Sequence, residues 1–143
     1  MYTRTKMRDL VLISHILIGI TILILSSIIL LELKRKKSSW LKPLAVGNVF
    51  LNWLLLLPAG ALYIIFYPAT KTLIKASSWP WAHSVVMETK EHWGLLLPII
   101  ATVAAMLVIS GRKNESKKYW ILVIILVILM GIMGRIIKIG ALA

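Results

Sequence analysis

Four apolar stretches dominate this chain, and each is too long and too uncharged for an ordinary helix of a water-soluble core. The first, Leu10 to Leu31, has 22 residues interrupted only by serine, threonine, glycine and one histidine. At a rise of about 1.5 Å per residue it reaches across a hydrocarbon layer of roughly 30 Å. A second runs from about Pro43 to Phe66, a third from Trp93 to Ile109, and a fourth from about Tyr119 to Ile139. In lipid every backbone N–H and C=O must find its partner inside the protein, so stretches of this length become helices. The expected fold is all-α, a transmembrane four-helix bundle forming a single integral-membrane domain over residues 1–143. Composition agrees, with 59% hydrophobic and only 15% charged residues, against about 25% charged in soluble domains. The first stretch has the basic flank of a secretion signal, but it is longer than such a segment. It also lacks a small-x-small cleavage site and runs straight into Glu32-Leu33-Lys34-Arg35-Lys36-Lys37, so it is read as a retained span.

The 17 Lys and Arg against 5 Asp and Glu would suggest nucleic acid in a soluble protein. Here the bases fall between the apolar stretches, where membrane topology accounts for them, and no nucleic-acid partner is expected. Lys34, Arg35, Lys36, Lys37 and Lys42 follow the first span, and Arg112, Lys113, Lys117 and Lys118 follow the third. These nine crowd two short loops, while eight others are spread over the opposite side. Their density places both loops in the cytoplasm. The termini and the Trp-rich middle loop, Tyr67 to His92, then face outward from a multi-pass protein of the cell membrane. The segment from Trp79-Pro80-Trp81 onward is expected to begin the third helix outside the bilayer, with Ser77 or Ser78 as its cap.

An ionisable residue inside a span is costly and marks a candidate site. His15 lies five residues into the first span, on a face that continues through Gly19, one turn deeper. A flat macrocycle on a helical histidine needs such space. The competing reading is a histidine hydrogen-bonded to a neighbouring helix. His92 enters the third span, which starts on the same membrane side as the first, at a depth within roughly 5 Å of His15. The two meet the minimal requirement for axial ligands of one haem iron, with His83 as the alternative to His92. His83 and His92 are nine residues apart, about 180° on a regular helix, so they cannot both point into the bundle. Span four ends on the histidine side with Gly131, Gly134, Arg135 and Lys138 on one face. There Arg135, with Lys138 or Lys90, is placed to hold haem propionates; the alternative is snorkelling to lipid headgroups. Met87, Met106, Met130 and Met133 offer alternative sulfur ligands but are better read as packing residues. Asn48 and Asn52, one turn apart in span two, suit a quinone headgroup, and suit helix-to-helix hydrogen bonding better.

Other classes are poorly served. No span carries a central carboxylate, as a proton-coupled carrier would need. The absence of cysteine excludes disulfide chemistry, thiolate metal sites and covalent haem attachment, and no nucleophile elbow, P-loop or dinucleotide fingerprint is present. Any enzymatic role is at most that of an electron-transfer subunit.

The four helices, His15 near one end of the first span, His92 at the start of the third, and the bases closing the fourth together resemble small integral-membrane b-type cytochromes, the membrane subunits of redox complexes. The resemblance implies one haem b held by His15 and His92, with Gly19 beside the ring and Arg135 and Lys138 near its propionates. It also implies partners in a larger membrane complex, possession of a quinone site, and electron transfer between the quinone pool and a partner on the outer face. Three histidines cannot ligate two bis-histidine haems, so a haem pair crossing the membrane is not expected. The alternatives are a pigment-binding subunit, in which one histidine holds a chlorophyll magnesium, and a structural or assembly subunit with no cofactor.

Overall fold

The computed structural model describes residues 2–35 and 37–143; Lys36, counted above in the first basic loop, lies outside the described residues. Helix α1 covers Tyr2–Leu33 and α2 covers Leu41–Ala61. A π-helical turn at Leu62–Phe66 joins α2 to α3, Tyr67–Ala76, in one continuous rod. After a short break a second π-helical turn, Ala82–Met87, leads into α4, Glu88–Ile109, and α5 covers Lys113–Gly140. The described residues contain no strand. Four segments, Thr5–Leu33, Leu41–Ala76, Ala82–Ile109 and Lys113–Gly140, are long and apolar enough to cross a membrane, and the chain is an all-α, multi-pass membrane protein.

The third helix begins early, at Ala82, close to the start expected from Trp79-Pro80-Trp81, but the second span also continues as helix through Tyr67–Ala76 where a loop was expected, leaving only Ser77–Trp81 between them. The reason is amphipathic. In α3 the apolar Tyr67 and Ile74 are buried while Lys71 and Lys75 punctuate the sequence, so hydropathy falls although one face still packs. Tyr67, Ile74, Ala82, Val86, Met87 and Ile137 form a small second core where α3 and the π turn cover the end of α5. Neither Ser77 nor Ser78 caps the third helix, whose N-cap is Trp81 without a side-chain bond; Ser77 instead closes the end of α3, its hydroxyl donating to the Ile74 carbonyl at 2.8 Å and accepting from the Trp79 N–H at 3.0 Å. At the other end α4 stops in a turn where Gly111 takes φ 79°, and the Arg112 N–H reaches back to the Leu107 carbonyl at 2.8 Å. Only glycine adopts that left-handed conformation at little cost, and the 6→1 bond terminates the helix.

The helices form a ring in which α1 and α4 each touch both α2 and α5. The main core lies toward the basic loops. There Ile22, Ile29, Ala45, Ala101, Ala104 and Val108 surround the fully buried Trp120. Alanines on α4 let the indole ring fit between helices, as small residues commonly do in membrane bundles. Asn48 joins α2 to α1: its Nδ2 donates to the Ile22 carbonyl at 3.1 Å and to Ser26 Oγ at 2.9 Å. Asn52 Nδ2 then donates to Asn48 Oδ1 at 2.7 Å, and Ser116 Oγ ties α5 to the Ala104 carbonyl at 3.0 Å. Of the two uses weighed for these amides, the structure presents the packing one.

Two substitutions test this packing. Asn48→Leu removes three buried hydrogen bonds from one side chain and is expected to destabilise the bundle by about 1–2 kcal/mol, the upper range for such contacts in membrane proteins. Gly140→Ala places a Cβ 2.9 Å from that of Ala82, which must move, at an expected cost of about 1–3 kcal/mol. Thermal unfolding in detergent measures both; an unchanged transition in either case contradicts the corresponding contact.

Candidate functional site

Beyond Leu23, Leu55 and Leu97, on the side of the termini, the bundle opens into a cavity of about 590 Å³. Its walls explain the opening. Each of the four long segments contributes one glycine, Gly19, Gly60, Gly94 and Gly131, and at none of them would an added Cβ meet another atom within 4 Å. Residues with side chains at these positions would project into the space. The apolar lining and the small number of polar groups are those of a ligand site, and the volume falls within the roughly 300–1,000 Å³ of such sites.

His15 lines this cavity. Its ring is half-buried, and Nδ1 is enclosed with no hydrogen-bond partner among the described residues. The helix-bonding use of this histidine is therefore not seen at that nitrogen, which is left with the donor or acceptor capacity that a bound group satisfies. Lys90 also lines the cavity, half-buried, with Nζ lying across Gly134, 3.8 Å from where a Cβ would stand. Glu91 and Tyr63 complete the polar rim. The sulfurs of Met87 and Met130 belong to residues of the same wall.

The other expected site residues are distributed differently. His92 is on the exposed face of α4, its Nδ1 2.7 Å from the Glu88 carbonyl oxygen, and the structure does not bring it to His15. His83 is buried instead, with Nδ1 2.9 Å from the Tyr67 hydroxyl, in the second core and outside the cavity lining. Tyr67 in turn stacks on Tyr63, ring centroids 5.6 Å apart. Arg135 and Lys138 are exposed and do not line the cavity; Lys90, given an assisting place above, is the cation that does. Gly19 lies beside His15 in the cavity wall, as its spacing implied. Gly60 and Gly94 were not singled out from the sequence, although every span carries at least one glycine.

Among the described residues no three His, Asp or Glu side chains converge on a point where they would hold a metal ion by themselves. A metal in this cavity would have to bring most of its ligands with it. No protein-family model matches the chain, and no curated protein or solved structure matches it either.

The glycine wall makes a direct prediction. Gly60→Ala and Gly94→Ala each add one methyl to open space and replace a poor helix former, so the unfolding temperature is expected to hold or to rise, by no more than about 1 kcal/mol of stability. A fall in stability would mean that the walls stand closer than the structure shows.

Proposed function

We propose that this protein is a b-type cytochrome-like membrane subunit that binds one haem b in the four-glycine cavity and takes part in electron transfer between the quinone pool and a partner on the side of the termini. The observation that carries the reading is the unpartnered His15 Nδ1, enclosed beside a cavity that glycines from all four segments leave open. The residues fit the group. His15 would ligate the iron, and the glycines leave room for a flat ring. Lys90 supplies the cation that a propionate requires when it leaves water. Leucines at the floor and the packed core below exclude water from the cavity on the basic-loop side. When bound, the haem supplies one-electron redox chemistry, while the protein supplies ligation, burial and the charge that tunes it.

Met87 and Met130 are the cavity residues able to provide a second axial donor. His92, the partner expected from the sequence, reaches the cavity only if α4 turns by about the 100° that separates successive helical residues. A second reading is favoured by the same observation. His15 is the one histidine in the cavity lining, and a chlorophyll magnesium with five ligands needs only one protein donor.

The deciding experiment is the absorption spectrum of the protein purified from its native membrane in mild detergent, air-oxidised and then dithionite-reduced, for wild type, His15→Ala and His92→Ala. A sharp reduced α band with a Soret shift, abolished by His15→Ala, is expected. Retention of the band in His92→Ala assigns the second axial position elsewhere, and its loss returns His92 to the iron. A long-wavelength absorption insensitive to dithionite replaces haem with a pigment. A colourless wild type overturns both readings and leaves a structural or assembly subunit.

A further inference from the structure

The opposite end of the bundle holds a second, chemically different cavity. Between the loop after α1, the start of α2 and the junction of α4 with α5 lies a cleft of about 420 Å³, lined by Lys37, Lys42 and Lys113 with Ser38 and Ser39, over a floor of Leu41 and Val108. Both floor residues are almost fully buried, so the cleft is seated in the bundle and not merely on a loop.

Its charge is unbalanced in one direction. The two acids nearby are already neutralised. Glu32 is held by Arg35 Nη1 at 2.9 Å and by the Ser38 hydroxyl at 2.5 Å, and Glu115 forms a two-pronged pair with Arg112. Among the described residues none of the three cleft lysines has an acidic partner. Two helices also begin here. The first intrahelical bonds are Leu44 N–H to the Trp40 carbonyl and Ser116 N–H to the Arg112 carbonyl, which leaves the Leu41, Lys42 and Lys113 N–H groups without helical partners. Backbone donors at two helix starts add to the lysine charge in attracting an anion. Trp40, between the lining residues Ser39 and Leu41 in sequence and 70% exposed, is the residue type that sits at the level of lipid headgroups.

The geometry points to a binding site for an anionic phosphate group, held by Lys37, Lys42 and Lys113 with the Ser39 hydroxyl. The position at the end of the spans assigns the phosphate to the headgroup of an anionic phospholipid, with free phosphate as the other source of the same chemistry. Basic pockets between membrane helices recognise headgroups in this way. This inference does not rest on the haem reading, since the two cavities lie at opposite ends of the bundle and share no residue.

Native mass spectrometry of the full chain, released from detergent in the presence of equal dioleoyl phosphatidylglycerol and dioleoyl phosphatidylcholine, tests it. Wild type is expected to retain phosphatidylglycerol with a preference of about tenfold or more, given three lysines near the headgroup. The triple variant Lys37→Gln/Lys42→Gln/Lys113→Gln should fall close to parity, and Lys113→Gln alone should fall part-way, which keeps the test usable if the triple variant does not fold. The charge-matched control Lys34→Gln/Lys117→Gln/Lys118→Gln should keep the preference. Displacement of the lipid by inorganic phosphate assigns recognition to the phosphate alone, and failure to displace it assigns it to the lipid. Equal retention of the two lipids by wild type, or equal loss in the control, overturns the site.

Discussion

The amide of Asn48 is the interaction around which this bundle is organised. Lipid tails are as apolar as leucine, so helices inside a bilayer gain little from hiding apolar faces from one another. Close packing and a few buried polar contacts must hold them instead. Asn48 supplies such contacts between α1 and α2 through Ser26 and the Ile22 carbonyl, and it fixes Asn52 one turn deeper. Individually these bonds are worth roughly 0.6 kcal/mol each, with a maximum near 1.7. Their larger effect is on register, since an amide that misses its partner in the membrane is left unsatisfied. With α1 and α2 locked, the alanines of α4 meet Trp120 and the basic-loop half closes tightly. In the opposite half the Tyr67–His83 bond ties the second and third segments near their ends, and below it the four glycines leave a cavity between the helices.

That division gives the chain two chemically distinct ends. Near the termini the ligand environment is a histidine, a lysine and glycine-cleared apolar walls. Near the basic loops it is a polar cleft with three lysines that have no acidic partner among the described residues. The contrast arises from how the acids are used. Glu91 and Lys90 both line the first site, so the polar rim there is close to charge balance. Glu32 and Glu115 are each matched by an arginine at the other end, so every nearby lysine is surplus. A neutral rim suits a large apolar group with a few polar appendages. A surplus of cations suits an anion.

Much of the fold was legible in the sequence because its strongest signal, long uncharged stretches, maps directly onto helices that must satisfy their own backbones. The placement of His15 beside Gly19 and the packing use of Asn48 followed from helical periodicity and from the need of a buried amide for partners. The early start of the third helix was legible from Pro80 at its beginning, whereas the helical extension through Tyr67–Ala76 was not, because its lysines and threonines lower the hydropathy while a single face still packs. The missing role of Gly60 and Gly94 has a different cause. A glycine in one span says little, and only the ring arrangement turns four of them into one wall.

The positions of His83 and His92 show why the ligand pair was the least legible feature. Nine residues on a regular helix place them about 180° apart, so one inward and one outward residue is expected, without saying which. The π-helical turn at Ala82–Met87 takes up about one extra residue, which brings their separation nearer to about 80° and changes what each meets. His83 turns toward α3 and finds the Tyr67 hydroxyl, a partner that exists only because the preceding span also continues past its own π turn. His92 lies beyond the reach of α3 and stays on the exposed face, bonded to its own helix. Both π turns thus act on the same pair of tyrosines and the same histidine. A periodicity argument assumes an unbroken 3.6-residue repeat, and here the repeat is interrupted in both helices at the level where the choice between the two histidines is made.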